Sequence, residues 1–433
     1  MTSEVSNAPG AGTAPERLFA NRDYVRLFAA HLASLLGSGV TSVALAVFAY
    51  QLTGSDATVV VGIALTLRIL AFVLVSPIAG VLADRVDRKR MLITADLLRF
   101  GLLGFFPFIT EVWQVYALIF AINAVTAFFT PTYEATLPEI VGAKLYTRAL
   151  SASRVALDVE GALGPLVAGA LIAAVGVRWT FWFDAGTYLL SALLVLGARV
   201  PRPARLKGPF PWRDFVPQTT FGTRILLREP ALRRALLLHF AEAAAGAVTI
   251  VTTIVYIRDV LERGNGSFAL VMAAVGAGSS LAALVLARRA TAARGTGTEA
   301  EQHRRYHRWA ERTLLWGGAL SALALLPGVL VPGIAVLAAL WALNGAGGAM
   351  IAIPSVGLLA EHTAPEERGR AYAAHFAWTH LFWLGTYPAA GWLAKAVGTP
   401  WTFTAAGIAC AVLTLAAWSI RGSPRAHAVG TAT

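Results

Sequence analysis

Cysteine is almost missing from this chain of 433 residues: Cys410 stands alone, so no intramolecular disulfide can form. It lies inside the last apolar run, where a small buried packing role is expected. Charge is scarce as well. Only 14% of the residues are Asp, Glu, Lys or Arg, against roughly 25% in an ordinary soluble domain. Apolar residues take their place, at 57% of the chain and a mean hydropathy of +0.63. They come in repeated runs of about 20 residues, the length that spans a bilayer. This composition excludes a water-soluble globular domain and points to a polytopic membrane protein. Acids are fewer than bases, 24 against 36, for a formal net charge of +12. The bases sit between the apolar runs, so they are read as orienting loops and not as a nucleic-acid surface. No nucleophile–base constellation and no cofactor-binding loop is visible, so neither an enzyme nor a cofactor is expected.

Twelve spans are read, at about 27–50, 58–80, 91–109, 112–133, 150–175, 178–198, 234–257, 267–287, 313–331, 334–358, 371–394 and 400–420. Each can cross about 30 Å of hydrocarbon at 1.5 Å per residue. A Pro- and Arg-rich stretch at 199–233 divides them six and six. The expected fold is all-α, two six-helix bundles built as repeats around a central cavity. The expected domains are a disordered cytoplasmic tail at 1–26, bundles at 27–198 and 234–420, a cytoplasmic linker at 199–233 and a tail at 421–433. No cleavable signal precedes the first span, which is expected to act as an uncleaved anchor. Within the linker, 215–227 reads as an amphipathic surface helix. A second polar insert, 288–312, reads as a mobile loop. Basic residues recur in alternate loops, with Arg85, Arg88, Lys89 and Arg90 first, then Lys144 and Arg148, the linker, the second insert, Arg368 and Arg370, and Arg421 and Arg425. The opposite loops offer little beyond Arg178, Arg258, Arg263 and Lys395. Both termini are therefore expected on the cytoplasmic side of the plasma membrane.

Between the second and third spans runs Gly80-Val81-Leu82-Ala83-Asp84-Arg85-Val86-Asp87-Arg88-Lys89-Arg90. The fifth span carries Gly161-Ala162-Leu163-Gly164-Pro165-Leu166-Val167-Ala168-Gly169. The first stretch resembles the loop signature of the major facilitator superfamily, with Asp87 where the family has its second glycine. The second is similar to the glycine–proline signature of proton-driven exporters, its final double glycine reduced to Ala168-Gly169. Further stretches resemble the third drug–proton antiporter branch, which includes exporters of macrolides, siderophores and nickel. They include Asn21-Arg22-Asp23-Tyr24, Ala95-Asp96-Leu97-Leu98-Arg99 and Thr130-Pro131-Thr132-Tyr133-Glu134-Ala135-Thr136-Leu137-Pro138-Glu139. The resemblance implies a twelve-helix transporter in which Gly80, Asp84, Arg85 and Arg88 gate one side, with Asp84 as a latch. It implies that Gly161, Gly164, Pro165 and Gly169 form the antiporter motif. The loop after the eighth span lacks the acid of the second-half signature, and the fourth span lacks the arginine found in other antiporter branches.

A charge at the centre of a spanning helix costs roughly 2.5–3.5 kcal/mol on insertion scales, so each one requires a reason. Asp158 and Glu160 are two residues apart, about 200° around a helix, and cannot share a face. One can pair with Arg154 while the other titrates. Arg68 lies near the middle of the second span and needs Asp158, Glu160 or a cage of carbonyls. His239 and Glu242 share a face at i and i+3, as a proton relay, a cation site or an interfacial pair. Asp184 is expected near the outer surface, as a hydrogen-bonded interface residue. The eleventh span holds His375, Trp378, His380, Trp383 and Tyr387. Its two histidines are about 140° apart, which makes no ready metal pair. Asn123, Trp341 and Asn344 are neutral polar candidates for the cavity, alongside Arg68, His239, His380 and Trp383. The function expected is a monomeric secondary active exporter in the lipid bilayer. It would exchange inward-moving protons, through Asp158, Glu160 and Glu242, for drug-like or cationic small molecules. Export of nickel, cobalt or a siderophore is the second expectation, and a non-transport scaffold or sensor the third.

Overall fold

The computed structural model describes residues 18–83, 86–201, 212–364 and 367–420. Among these residues the regular structure is helical throughout, with no strand. The first half holds α1 (Arg22–Thr53), α2 (Ala57–Ala83), α3 (Arg88–Gly104), α4 (Val112–Val175) and α5 (Val177–Gly197). A short α6 (Trp212–Arg228) follows. The second half holds α7 (Pro230–Val255), α8 (Asn265–Arg294), α9 (Glu299–Leu325), α10 (Ile334–Glu361), α11 (Arg368–Val397) and α12 (Thr399–Ser419). Helices keep every backbone polar group satisfied internally, which hydrocarbon demands.

Glycines in the left-handed region set several reversals. Gly176 (φ 83°) turns the chain between α4 and α5, and Gly398 (φ 84°) does the same between α11 and α12. Each donates its N–H to the carbonyl four residues back, at Ile172 and Ala394. Only glycine holds such a φ without strain. Gly142 (φ 73°) breaks α4 into two arms, 112–141 and 143–175. The spans expected at 112–133 and 150–175 are thus longer than expected, and one residue makes the turn between them. The insert at 288–312 is corrected as well. It is no mobile loop but the end of α8 and the start of α9, joined by a short turn. The physical reason is a capping box, in which Thr298 Oγ1 accepts from the Glu301 N–H and Glu301 returns the bond to the Thr298 N–H.

The two ends of the bundle differ. At the basic end, Asn21 caps α1 and donates from its side-chain amide to the Ile140 carbonyl, 3.0 Å away. Lys89 donates to the carbonyls of Leu196 and Ala198, and Arg26 to that of Gly197, so cations close the C-terminus of α5. In the second half Arg234 donates to the Ala417 and Ile420 carbonyls and pairs with Glu311. α6 packs on α11 there: Trp378 Nε1 donates to Thr223 Oγ1 at 3.1 Å, and Arg370 lies over the Phe221 ring.

At the opposite end three polar links join the two halves. Asp56 pairs with Lys395 at 2.9 Å, Tyr50 donates to Asp259, and Thr58 Oγ1 donates to the Gly391 carbonyl. Close backbone approach supports them, because a Cβ on Gly62 would lie 2.7 Å from the Tyr387 carbonyl oxygen. The halves are closed on each other at this end.

Nine helical segments among the described residues are long and apolar enough to cross a membrane, or ten if the bent second arm of α4 is one span. One of the nine, Arg22–Ser76, has 55 residues and covers both α1 and most of α2. α11, with His375, His380 and Lys395, is not among them.

Candidate functional site

Glycine spacing brings a carboxylate to the centre of the first half. A Cβ on Gly39 of α1 would lie 2.4 Å from Glu160 Oε1, and one on Gly164 would lie 3.0 Å from the Gly39 Cα. Two small residues thus let α1 and the second arm of α4 cross closely, as in membrane helix pairs generally. The Glu160 side chain is held against the α1 backbone at that crossing. Arg68 of α2 is in electrostatic range of Glu160 and, across the interface, of His380 and Tyr387 of α11. Arg68 lies six residues beyond Gly62, roughly 9 Å deeper than the closed contact at Tyr387. It is exposed and makes no ion pair within 4 Å among the described residues. Among the described residues, Glu160 is a carboxylate in electrostatic range of Arg68. The side chains of Asp158 and Arg154 lie outside the described residues.

A second polar cluster lies between α7 and α11. His239 Nδ1 is 2.7 Å from Glu242 Oε2, and the His239 and His375 rings are 4.8 Å apart. The Nε2 atoms of both histidines are buried without a hydrogen-bond partner. Glu242 approaches Gly348 of α10. Trp383 fills the notch at Gly246, where a Cβ would lie 2.3 Å from its ring, and it faces Tyr387 with centroids 5.0 Å apart. His380 Nδ1 is 2.8 Å from the Phe376 carbonyl oxygen. Among the described residues, no group of three or more His, Cys, Asp or Glu has an arrangement fit for a metal ion.

Other expected residues are placed apart from these clusters. Trp341 and Asn344 are buried within the second half, donating to Thr253 Oγ1 at 3.0 Å and Thr249 Oγ1 at 2.9 Å. Asn123 donates to the Ile119 carbonyl of its own helix. Along the fifth-span motif the glycines have three different surroundings. Gly161 has nothing within 4 Å of an added Cβ, Gly164 meets Gly39, and Gly169 meets Ala269 of α8 in the other half. Pro165 lies inside the second arm of α4. In the signature loop, Gly80 belongs to the last turn of α2, and Asp84 and Arg85 lie outside the described residues. Arg88 is buried, donating to the Ala135 carbonyl at 2.9 Å and to Glu139 at 2.6 Å. Asp87 caps α3 through the Arg90 N–H, which gives the family's missing glycine a local use.

One polar network was not read from the sequence as a site. Asp96 pairs with Arg99 on α3 and accepts from Ser191 Oγ at 2.7 Å, all three fully buried. Arg99 lies over the rings of Phe129 and Tyr188. Next to it Asp184 accepts from Thr41 and Thr187 and faces Gly37, near the middle of α1. The expectation that Asp184 lies near the outer surface is therefore corrected. The signal was available: Asp96 and Arg99 sit at i and i+3 on an apolar helix, the spacing of a helical ion pair.

A helical bundle halved by a polar linker, closed at one end and holding charges at the interface, is the architecture of a membrane transporter. The chain belongs to the Major Facilitator Superfamily, whose model matches residues 27–297 and 306–432. Family and fold are those of transporters, which are not enzymes. It is similar to the uncharacterized MFS-type transporter YkuC of Bacillus subtilis (strain 168), with 30% identity over 45% of this chain and 46% of that one. Macrolide efflux protein A of Streptococcus pyogenes is 27% identical over 41% of this chain and 45% of its own length. The matches thus span about half the length of these relatives. A crystal structure of a bacterial homolog to the human lysosomal transporter Spinster, inward-facing, superposes with a TM-score of 0.68. It covers 95% of this chain and 100% of that one at 15% identity, a likeness of fold.

Proposed function

We propose that this protein is a secondary active exporter, driven by inward proton flow and working by alternating access on drug-like or cationic small molecules. The observation that carries the reading is the Glu160 carboxylate held against α1 at the Gly39–Gly164 crossing, with Arg68 of α2 in electrostatic range both of it and of His380 and Tyr387 in the other half. A carboxylate whose arginine neighbour also senses the opposite half is suited to tie protonation to the interface. A proton moving inward gains about 2.3 kcal/mol per 100 mV. A cationic substrate competing for the same acid would make exchange obligatory. In this reading Asp158, Glu160 and Glu242 carry protons, and Gly80, Asp84, Arg85 and Arg88 gate the basic end.

The same proposal includes twelve spans in two bundles of six, and a monomer. Splitting Arg22–Ser76 at the Gly54 turn and adding the second arm of α4 and α11 brings the nine apolar segments to twelve. A 55-residue helical stretch is roughly 80 Å long, more than twice what one crossing needs. The matched turns at Gly176 and Gly398, each before the last helix of its half, support the repeat. The basic end is placed in the cytoplasm of a plasma membrane. The closed opposite end then makes this an inward-open state.

Export of nickel or cobalt is a second reading, favoured by the unpartnered Nε2 atoms of His239 and His375 beside Glu242. Both readings are tested by producing the protein in a bacterium stripped of its own exporters. Inhibitory concentrations are then measured for macrolides, cationic dyes, a siderophore and nickel. Raised tolerance to an organic compound supports the first reading and raised nickel tolerance alone supports the second. No change for any compound, with the protein present in the membrane, would refute both.

A further inference from the structure

We propose that the second half carries a site for one anionic phospholipid of the surrounding bilayer, in the groove where α8 and α9 diverge over α10. A cavity of about 840 Å³ lies there. α10 packs closely on α8, since a Cβ on Gly278 would lie 1.9 Å from the Ala342 carbonyl oxygen. α10 also packs on α9, where a Cβ on Gly317 would lie 2.7 Å from the Gly347 carbonyl oxygen. α8 and α9 part above it and leave the groove open.

The floor and walls of the groove are apolar, with Leu281 and Val285 on α8 and Leu343 and Met350 on α10. Leu281, Val285 and Leu343 are exposed at 65%, 42% and 38%, covered by nothing among the described residues. Arg289 of α8 also lines it, with Arg305, Arg308 and Arg312 spread over roughly 10 Å of α9. Arg305 pairs with Glu301 at 3.7 Å, while Arg289, Arg308 and Arg312 have no carboxylate within 4 Å among the described residues. Trp309 lies among these arginines on α9, and Trp316 follows Arg312 by one turn. Amphipathic rings of this kind favour the headgroup boundary.

The dimensions fit a lipid of one leaflet. Gly278 to Arg289 is eleven residues, roughly 16 Å along the axis, and half of a 30 Å hydrocarbon core is roughly 15 Å. A lipid with an acyl chain laid against Leu281, Val285 and Leu343 therefore brings its phosphate to the level of Arg289, within reach of α9 arginines that line the same groove. Guanidinium groups bind phosphate through paired N–H donors, so a groove lined by arginines with no carboxylate partner among the described residues selects an anionic headgroup over a zwitterionic one. A neutral amphiphile would gain the apolar contacts but leave the arginines unused.

The test uses the full chain purified in a neutral maltoside detergent. It is titrated with dioleoylphosphatidylglycerol or dioleoylphosphatidylcholine, and bound lipid is counted by native mass spectrometry. Phosphatidylglycerol should be retained at lower concentration, with a preference that weakens as salt rises. A basic residue near a charged lipid surface is worth roughly a factor of five. Arg308→Gln with Arg312→Gln should therefore weaken phosphatidylglycerol binding roughly 25-fold. Arg308→Lys with Arg312→Lys should retain most of it, and Arg228→Gln with Arg233→Gln should leave it unchanged. Equal retention of the two lipids by the unaltered protein would overturn the proposal, as would a preference that survives in the folded glutamine pair. If the glutamine pair does not fold, the unaltered protein decides alone through its lipid preference and the salt dependence.

Discussion

Replacing Gly391 by alanine puts a methyl carbon 2.5 Å from the Thr58 carbonyl oxygen and 3.1 Å from Thr58 C and Val59 Cα. All three neighbours are backbone of α2, so no side chain can swing aside. Ordinary contact begins at 3.4 Å, so α2 and α11 must part by about 0.9 Å along that line before dispersion turns favourable again. Overpacking of this kind costs roughly 1–3 kcal/mol. The opposed surfaces belong to the two halves, so the cost falls on the state in which this end is closed. The equilibrium should shift roughly 5- to 150-fold towards the state in which it is open. Spin labels at Thr110→Cys and Leu330→Cys, both exposed at this end, would report the separation in a Cys410→Ala background. Gly391→Ala should populate a longer distance. Gly385→Ala, whose Cβ would meet nothing within 4 Å, should not. An unchanged distance distribution in folded Gly391→Ala protein would refute the argument that this contact holds the end shut.

Other substitutions separate structural charges from mobile ones. Asp96→Asn removes the carboxylate paired with buried Arg99 and should destabilise the first half by roughly 3–5 kcal/mol, read as a lower melting temperature in detergent. Lys395→Gln removes a pair whose side chains are 49% and 54% exposed. That change should move the label distance far less than Gly391→Ala, since exposed pairs are worth roughly 0–1 kcal/mol. Thr298→Ala should cost about 1 kcal/mol at the start of α9 and speed hydrogen exchange of the Glu301 amide, with distant helices unaffected.

Much of the fold was legible because hydrocarbon permits few backbone solutions. Long apolar runs read as helices, and the helices are there. The capping box at Thr298 is equally legible in Thr298-Glu299-Ala300-Glu301, although it is embedded in an Arg- and His-containing polar stretch at 288–312 whose composition alone resembles a loop. The turn at Gly142 could not be placed from composition, because one glycine with φ 73° leaves helix-forming residues on both sides. In the site, spacing separated Asp158 from Glu160 but could not say what either faces. The neighbour of Glu160 is set by Gly39 and Gly164, more than a hundred residues apart in sequence, and such crossings are properties of the packed bundle. His239 and Glu242 were readable as an i, i+3 pair, whereas the addition of His375 from α11 was not. Asp184 was misplaced in depth because its partners, Thr41 and Gly37, come from α1.

The most direct test of proton coupling uses inverted membrane vesicles and a compound to which the protein confers tolerance. Uptake against a gradient is followed together with the pH change inside the vesicle, in the unaltered protein and in Asp158→Asn with Glu160→Gln. The coupling account predicts that the double variant loses uphill uptake and substrate-evoked proton release while still equilibrating the compound down its gradient. Uphill uptake at the rate of the unaltered protein would contradict it.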